Sequence, residues 1–184
     1  MKTSLIIGLA AIMMSSPGII AFGQSAPQPK NNTSATAMKS VSNDATFLAD
    51  IDAWSIFEIE LGKAALKKAI STQVQEFAKM MVDDHTNVKT DLKALATSKK
   101  VMLANGIQER YQKVITALTA KSGQDFDREY LAIVHTEYGK EVELIKNASE
   151  NAKDADIKTF SKKTLPRLLY HLEMVERLEK ATAN

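Results

Sequence analysis

No cysteine occurs among the 184 residues. That removes a disulfide framework, a thiolate nucleophile and a lipid-modified cysteine, so a folded state has to rest on burial or on a bound ligand. Gly (7) and Pro (4) are scarce, which argues against a turn-rich sheet protein and favours long helices. Neither sign of charge dominates. Lys and Arg number 24 against 22 Asp and Glu, for a net charge of +2, and the two signs are mixed along the chain, so an electrostatic nucleic-acid binder is not supported. There is no Gly-rich phosphate loop, and the serines sit mostly in one polar stretch or at helix ends, away from any hydrolase triad. Histidine is equally rare, with 3 in the whole chain.

What the chain does have begins with an ordered N-terminus. MKTSLIIGLAAIMMSSPGIIAFGQ carries Lys2, an apolar run from Leu5 to Met14, a Ser-Ser-Pro-Gly break, and small residues at Ala21 and Gly23. That order predicts a secretory signal peptide over residues 1–23, with cleavage after Gly23 or after Ala26. The run is short of the ~20 residues a spanning helix needs. The expected location is therefore the periplasm or cell envelope, with membrane attachment after export left open. Residues 24–43, rich in Ser, Thr, Asn, Gln and Pro, read as a disordered linker. Residues 44–184 are expected to form the folded domain, large enough for one core and too short for two.

From Asp44 onward the apolar residues recur at helical spacing. Phe47, Ile51, Trp54, Leu61 and Ala65 mark one seam, with Glu58 in the remaining slot. Ser71 and Thr72 supply a cap for a second helix, whose seam is Val74, Phe77, Met81, Val88, Leu92 and Leu95, interrupted by His85. Asn105-Gly106 signals a turn, Glu109 to Ala120 a short helix, and Lys121 to Gln124 another break. A long segment then carries Leu131, Tyr138, Val142 and Ile145, with His135 assigned to the missing position. After a turn at Asn151 to Asp156, the last segment shows Ile157, Phe160, Leu168, Val175 and Leu178, with His171 on the seam and Pro166 expected to kink or restart the helix. Four long segments in two hairpins predict an all-α four-helix bundle. The long connection with its short extra helix favours a ferritin-like crossover over an up-down-up-down order.

Four polar side chains on four apolar seams call for a reason. Glu58 and His85 lie at similar distances from the first turn, roughly 20 Å at 1.5 Å per residue, and His135 and His171 are likewise matched about the second turn. If the two hairpins share a level, Glu58, His85, His135 and His171 converge, and a carboxylate with three imidazoles suits zinc, copper, iron or manganese. Met81 and Met174 stand close enough in sequence to add a thioether, which favours copper, or they are core filler. Asp84 either supports His85 or stands in water. Tyr130 and Tyr138 flank His135 by about one turn. Gly62 and Gly139 follow Glu58 and His135 by four residues, and a helical glycine costs about 1 kcal/mol relative to alanine, so each implies a close neighbour or simple tolerance. The alternative to a metal is a buried Glu/His hydrogen-bond network.

EIELGKAAL (Glu58 to Leu66), EFAKMMVDDHT ending in Asp84, His85 and Thr86, DFDREYLAIVH ending in His135, and TLPRLLYHLE around Pro166 and His171 together resemble an uncharacterised family of exported bacterial proteins. It is a domain of unknown function placed with the ferritin-like folds, and its members are often labelled outer membrane proteins. The resemblance runs from about Phe47 to Leu178 and implies a helical bundle outside the cytoplasm with no established activity. Di-iron members of the ferritin-like fold use Glu-x-x-His pairs. Here Val82, Ala132 and Leu168 stand three before the histidines, which speaks against iron storage or ferroxidase activity.

Two functions compete. One is a non-catalytic binding or stress-related module with a single metal in its core. The other is a metal-independent structural or interaction protein of the envelope. A redox enzyme at the same metal ranks third. Partner and oligomeric state are not written in the sequence.

Overall fold

The computed structural model describes residues 33–182, with side chains from Asn43 onward. The expected signal peptide and the first part of the expected linker lie outside the described residues. Five helices and no strand are present among the described residues: α1 (Thr33–Lys68), α2 (Thr72–Ser98), α3 (Glu109–Thr119), α4 (Gly123–Asn151) and α5 (Ala155–Thr182). None of them is long and apolar enough to cross a membrane. α1 starts at Thr33, inside the stretch expected to be linker. Ala35, Ala37, Met38 and Lys39 there favour helix, and lengthening an existing helix needs no new nucleus.

Side-chain contacts between helix ends define the topology. The turn between α1 and α2 is tied to the start of α4, because the Ile70 and Ser71 N–H groups donate to the Asp127 carboxylate at 3.2 and 2.9 Å. At the opposite end, Lys99 after α2 pairs with Asp154 and Asp156 in the turn into α5, at 2.6 and 3.0 Å. The chain leaving α2 must therefore return the length of the molecule before α4 begins. α3 makes that return, and Lys68 at the end of α1 donates to the Thr119 carbonyl at the end of α3. α1 and α2 form one antiparallel hairpin and α4 and α5 the other.

Local chemistry sets the element ends. Ser71 is extended at φ −79°, ψ 125° and its hydroxyl accepts from the Val74 N–H, the expected cap of α2. Asp154 accepts from the N–H groups of Asp156 and Ile157 at 3.0 and 3.1 Å and starts α5 in the same way. α5 runs through Pro166 as one helix, so the helix does not restart there. Thr164 next to it bonds back to the Phe160 carbonyl at 2.9 Å.

The core fills the space between the hairpins with Phe57, Phe77, Phe126, Tyr130, Tyr138, Leu48, Ile51, Leu61, Met81, Leu92 and Leu131, all fully buried. Gly62 lets α1 and α2 approach: a Cβ there would lie 2.7 Å from Val82 Cγ2 and 3.1 Å from the Ala78 carbonyl oxygen. Gly139 has nothing within 4 Å of its missing Cβ, so it is merely tolerated.

Candidate functional site

The close approach at Gly62 sets the level of the site. Glu58 is one turn toward the N-terminus on α1, and His85 one turn beyond Met81 on antiparallel α2, so the two occupy the same layer of the bundle. Both are fully buried. α4 contributes Tyr138 and α5 contributes His171, also fully buried.

Tyr138 is the hub. Its hydroxyl is hydrogen-bonded to His85 Nε2, lies 2.7 Å from His171 Nδ1, and has Met81 Sδ at 3.1 Å. The other nitrogen of His171, Nε2, is 2.8 Å from Asp84 Oδ2, and Arg167 stands 3.5 Å from the same carboxylate oxygen.

Donor and acceptor roles follow from bookkeeping along this chain. A carboxylate only accepts, so His171 Nε2–H donates to Asp84. In a neutral imidazole the other nitrogen then carries a lone pair, which accepts the Tyr138 O–H in preference to the weaker Met81 sulfur. The phenol oxygen is left to accept from His85 Nε2–H. His85 Nδ1 ends the chain with a lone pair and no partner. The tautomers are assigned from these partners. Neutral rings suit the surroundings: burial, together with His171 nearby, lowers His85 to about 3, and burial lowers His171 against the raising pull of Asp84. Burial also pushes Tyr138 well above the usual phenol range, with Glu58 and Glu141 adding to it.

Two glutamates share the interior. Burial drives Glu58 well above the carboxylate range, reinforced by Glu141 and Glu137, and burial raises Glu141 to about 8. Glu141 therefore keeps its proton at pH 7, and burial pushes Glu58 in the same direction. None of their four oxygens has a hydrogen-bond partner, and the Tyr130 hydroxyl also lacks one. A neutral carboxyl is far cheaper to bury than a carboxylate, which is how this core holds two of them.

Of the four residues expected to converge, the structure brings together His85 and His171, with ring centroids 6.1 Å apart, and places Glu58 in their layer. His135 does not join them. Its side chain is 41% exposed, and its Nδ1 lies 2.6 Å from Glu179 on the next helix. Val134 takes the slot expected of His135 and is fully buried. Between Leu131 and Tyr138 both positions 134 and 135 satisfy helical spacing, and the apolar one costs less to bury.

Asp84 supports His171 rather than His85, and Tyr138 reaches the two buried histidines rather than His135. Met81 touches the site, whereas Met174 packs half-buried against the core. One participant, Glu141, was missed in the sequence, and Tyr138 was expected beside His135 rather than between the two buried histidines. Glu141 is three residues after Tyr138 and so on the same helical face; that spacing was the available clue.

Among the described residues no group of three or more His, Asp or Glu side chains converges as a metal-holding set. Among the buried histidines and glutamates, the atoms with no partner are the carboxyl oxygens of Glu58 and Glu141 and the Nδ1 of His85. Chemically, the directed chain from His85 through Tyr138 and His171 to Asp84 holds protons in a defined order from the core to the partly exposed Asp84 carboxylate. No curated protein and no solved structure matches the chain. The model of the domain of unknown function DUF4142 matches residues 27–178, and the chain belongs to that family.

Proposed function

We propose that this domain is a non-catalytic, metal-independent helical module of ferritin-like topology that works in the cell envelope after export. Its Asp84–His171–Tyr138–His85 chain, buried except at Asp84, fixes the register of the two hairpins. The observation that carries this reading is the Tyr138 hydroxyl seated between the two imidazoles. It occupies the inward nitrogens that a metal would need, while His85, Tyr138, His171, Glu58 and Glu141 are all closed to a substrate. The return of the chain through α3 supports the ferritin-like order. Export rests on the residue order before Gln24 alone.

A second reading keeps one transition metal ion in the core. What favours it is the set of unpartnered donors, Glu58 and the Nδ1 of His85. His171 would have to exchange a present partner for the metal, and His135 would take no part.

Metal analysis of protein purified from the periplasm, beside His85→Ala and His171→Ala, separates the two. No metal in the wild type, with both variants less stable, supports the first reading. About one ion per chain, lost in both variants, overturns it in favour of the second.

A further inference from the structure

α3 leaves a groove between itself and α4, floored by α1, of about 470 Å³. Small-molecule sites occupy roughly 300–1,000 Å³ and join an apolar lining to a few placed polar groups. The floor is aromatic. Phe57 of α1 stacks on Tyr111 of α3 with ring centroids 4.4 Å apart and planes 17° apart, and half-buried Trp54, Val114 and Ile133 continue the lining.

The charges around the rim do not balance. Glu137 is neutralised by Lys140 at 2.6 Å and also accepts the Trp54 indole N–H at 3.2 Å. Glu129 is paired with Lys121 at 3.0 Å. Arg110 is different: its guanidinium lies over the Tyr111 ring, 4.5 Å from the centroid, and bonds the Tyr111 hydroxyl at 3.2 Å. It has no carboxylate partner among the described residues. Stacking on the ring leaves the remaining N–H groups of the planar fork free at the mouth, in the geometry that takes a carboxylate through two parallel bonds.

We propose that this groove binds a small organic carboxylate with an aromatic body. The ring rests against the accessible faces of Trp54 and Ile133, above the buried Phe57, and the carboxylate pairs with Arg110. This inference is independent of the core chemistry, and its failure would leave the reading of the core untouched.

The chain has a single tryptophan, and it lines the groove, so its emission reports occupancy directly. The full chain is titrated with phenylbutyrate, and in parallel with the isosteric neutral phenylbutanol and cationic phenylbutylamine. Phenylbutyrate should shift Trp54 emission saturably and bind about ten-fold or more tightly than the alcohol, the increment expected of a charge-assisted pair. The amine should bind most weakly.

Arg110 is exposed, so Arg110→Gln should fold normally. It should reduce phenylbutyrate binding to the level of the alcohol and leave the alcohol unchanged. Lys113→Gln, a change at an exposed cation on the same helix already paired with Glu109 at 2.7 Å, should alter neither. Equal affinity for acid and alcohol in the wild type, a preference that survives Arg110→Gln, or no saturable change in emission with any of the three ligands overturns the proposal.

Discussion

Replacing Tyr138 by phenylalanine keeps the ring and removes one oxygen. That oxygen accepts from His85 and donates to His171, so the substitution strands a buried donor and a buried acceptor at once. Each stranded group costs about 1–3 kcal/mol, which makes the expected loss about 2–6 kcal/mol. For a domain of this size 1 kcal/mol moves Tm by roughly 2–4 °C, so melting should fall by on the order of 10 °C. Tyr130→Phe is the matched control. Tyr130 sits on the same helix and is equally buried, with 0% exposure for both, yet its hydroxyl has no partner. Removing an unsatisfied buried hydroxyl should be neutral or stabilising. Urea unfolding of the two variants beside the wild type, with slopes checked for equality, measures the difference. If Tyr130→Phe costs as much as Tyr138→Phe, or if the two differ by less than about 1 kcal/mol, the Tyr138 bonds do not organise the core and the argument fails.

The two buried acids make stability pH-dependent. Between 4.5 and about 8 the folded state keeps a proton on Glu141 that the unfolded chain has released, so stability falls as pH rises; Glu58 acts in the same sense. His85, lowered from 6.5 to about 3, acts oppositely below 6.5, so the fall should emerge cleanly between pH 6.5 and about 8. Glu141→Gln should flatten that limb in a pH series of unfolding curves; an unchanged slope counts against a protonated Glu141. Gly62→Ala should destabilise by about 1–3 kcal/mol, because its Cβ would press on Val82 and on the Ala78 carbonyl. Gly139→Ala should stabilise by up to about 1 kcal/mol, and calorimetry showing the same sign for both would contradict the packing described. His135→Ala should cost less than about 1 kcal/mol, as expected of an exposed pair, and a chemical-denaturation loss comparable with that of His171→Ala would restore His135 to the core.

Much of the helical architecture was legible because periodicity and punctuation agree. The Ser71 cap, the break before Glu109 and the turn at Asn151 to Asp156 each fall within a few residues of an observed boundary. Two local readings differ from the structure for identifiable reasons. Pro166 was expected to kink or restart a helix that continues past it as one element. The helical stretch before Asp44 was hidden by polar residues that α1 nevertheless extends across.

The polar interior divides along the same line. That Glu58, His85 and His171 face inward followed from their spacing against apolar neighbours. That His135 faces outward did not, since positions 134 and 135 are degenerate under a period of 3.6 and only the angle at which α4 meets α5 resolves them. Which hydroxyl joins which imidazole was likewise undetermined. Spacing along one helix reports a face, whereas a hydrogen bond between helices depends on the offset of two hairpins. The ties of Asp127 to the first turn and of Lys99 to the last hold that offset together with the Tyr138 bonds, through contacts between residues more than fifty positions apart. The sequence alone thus determined the order of the helices and most of their apolar faces. Tertiary packing alone decided that a tyrosine, rather than a third histidine, stands at the centre.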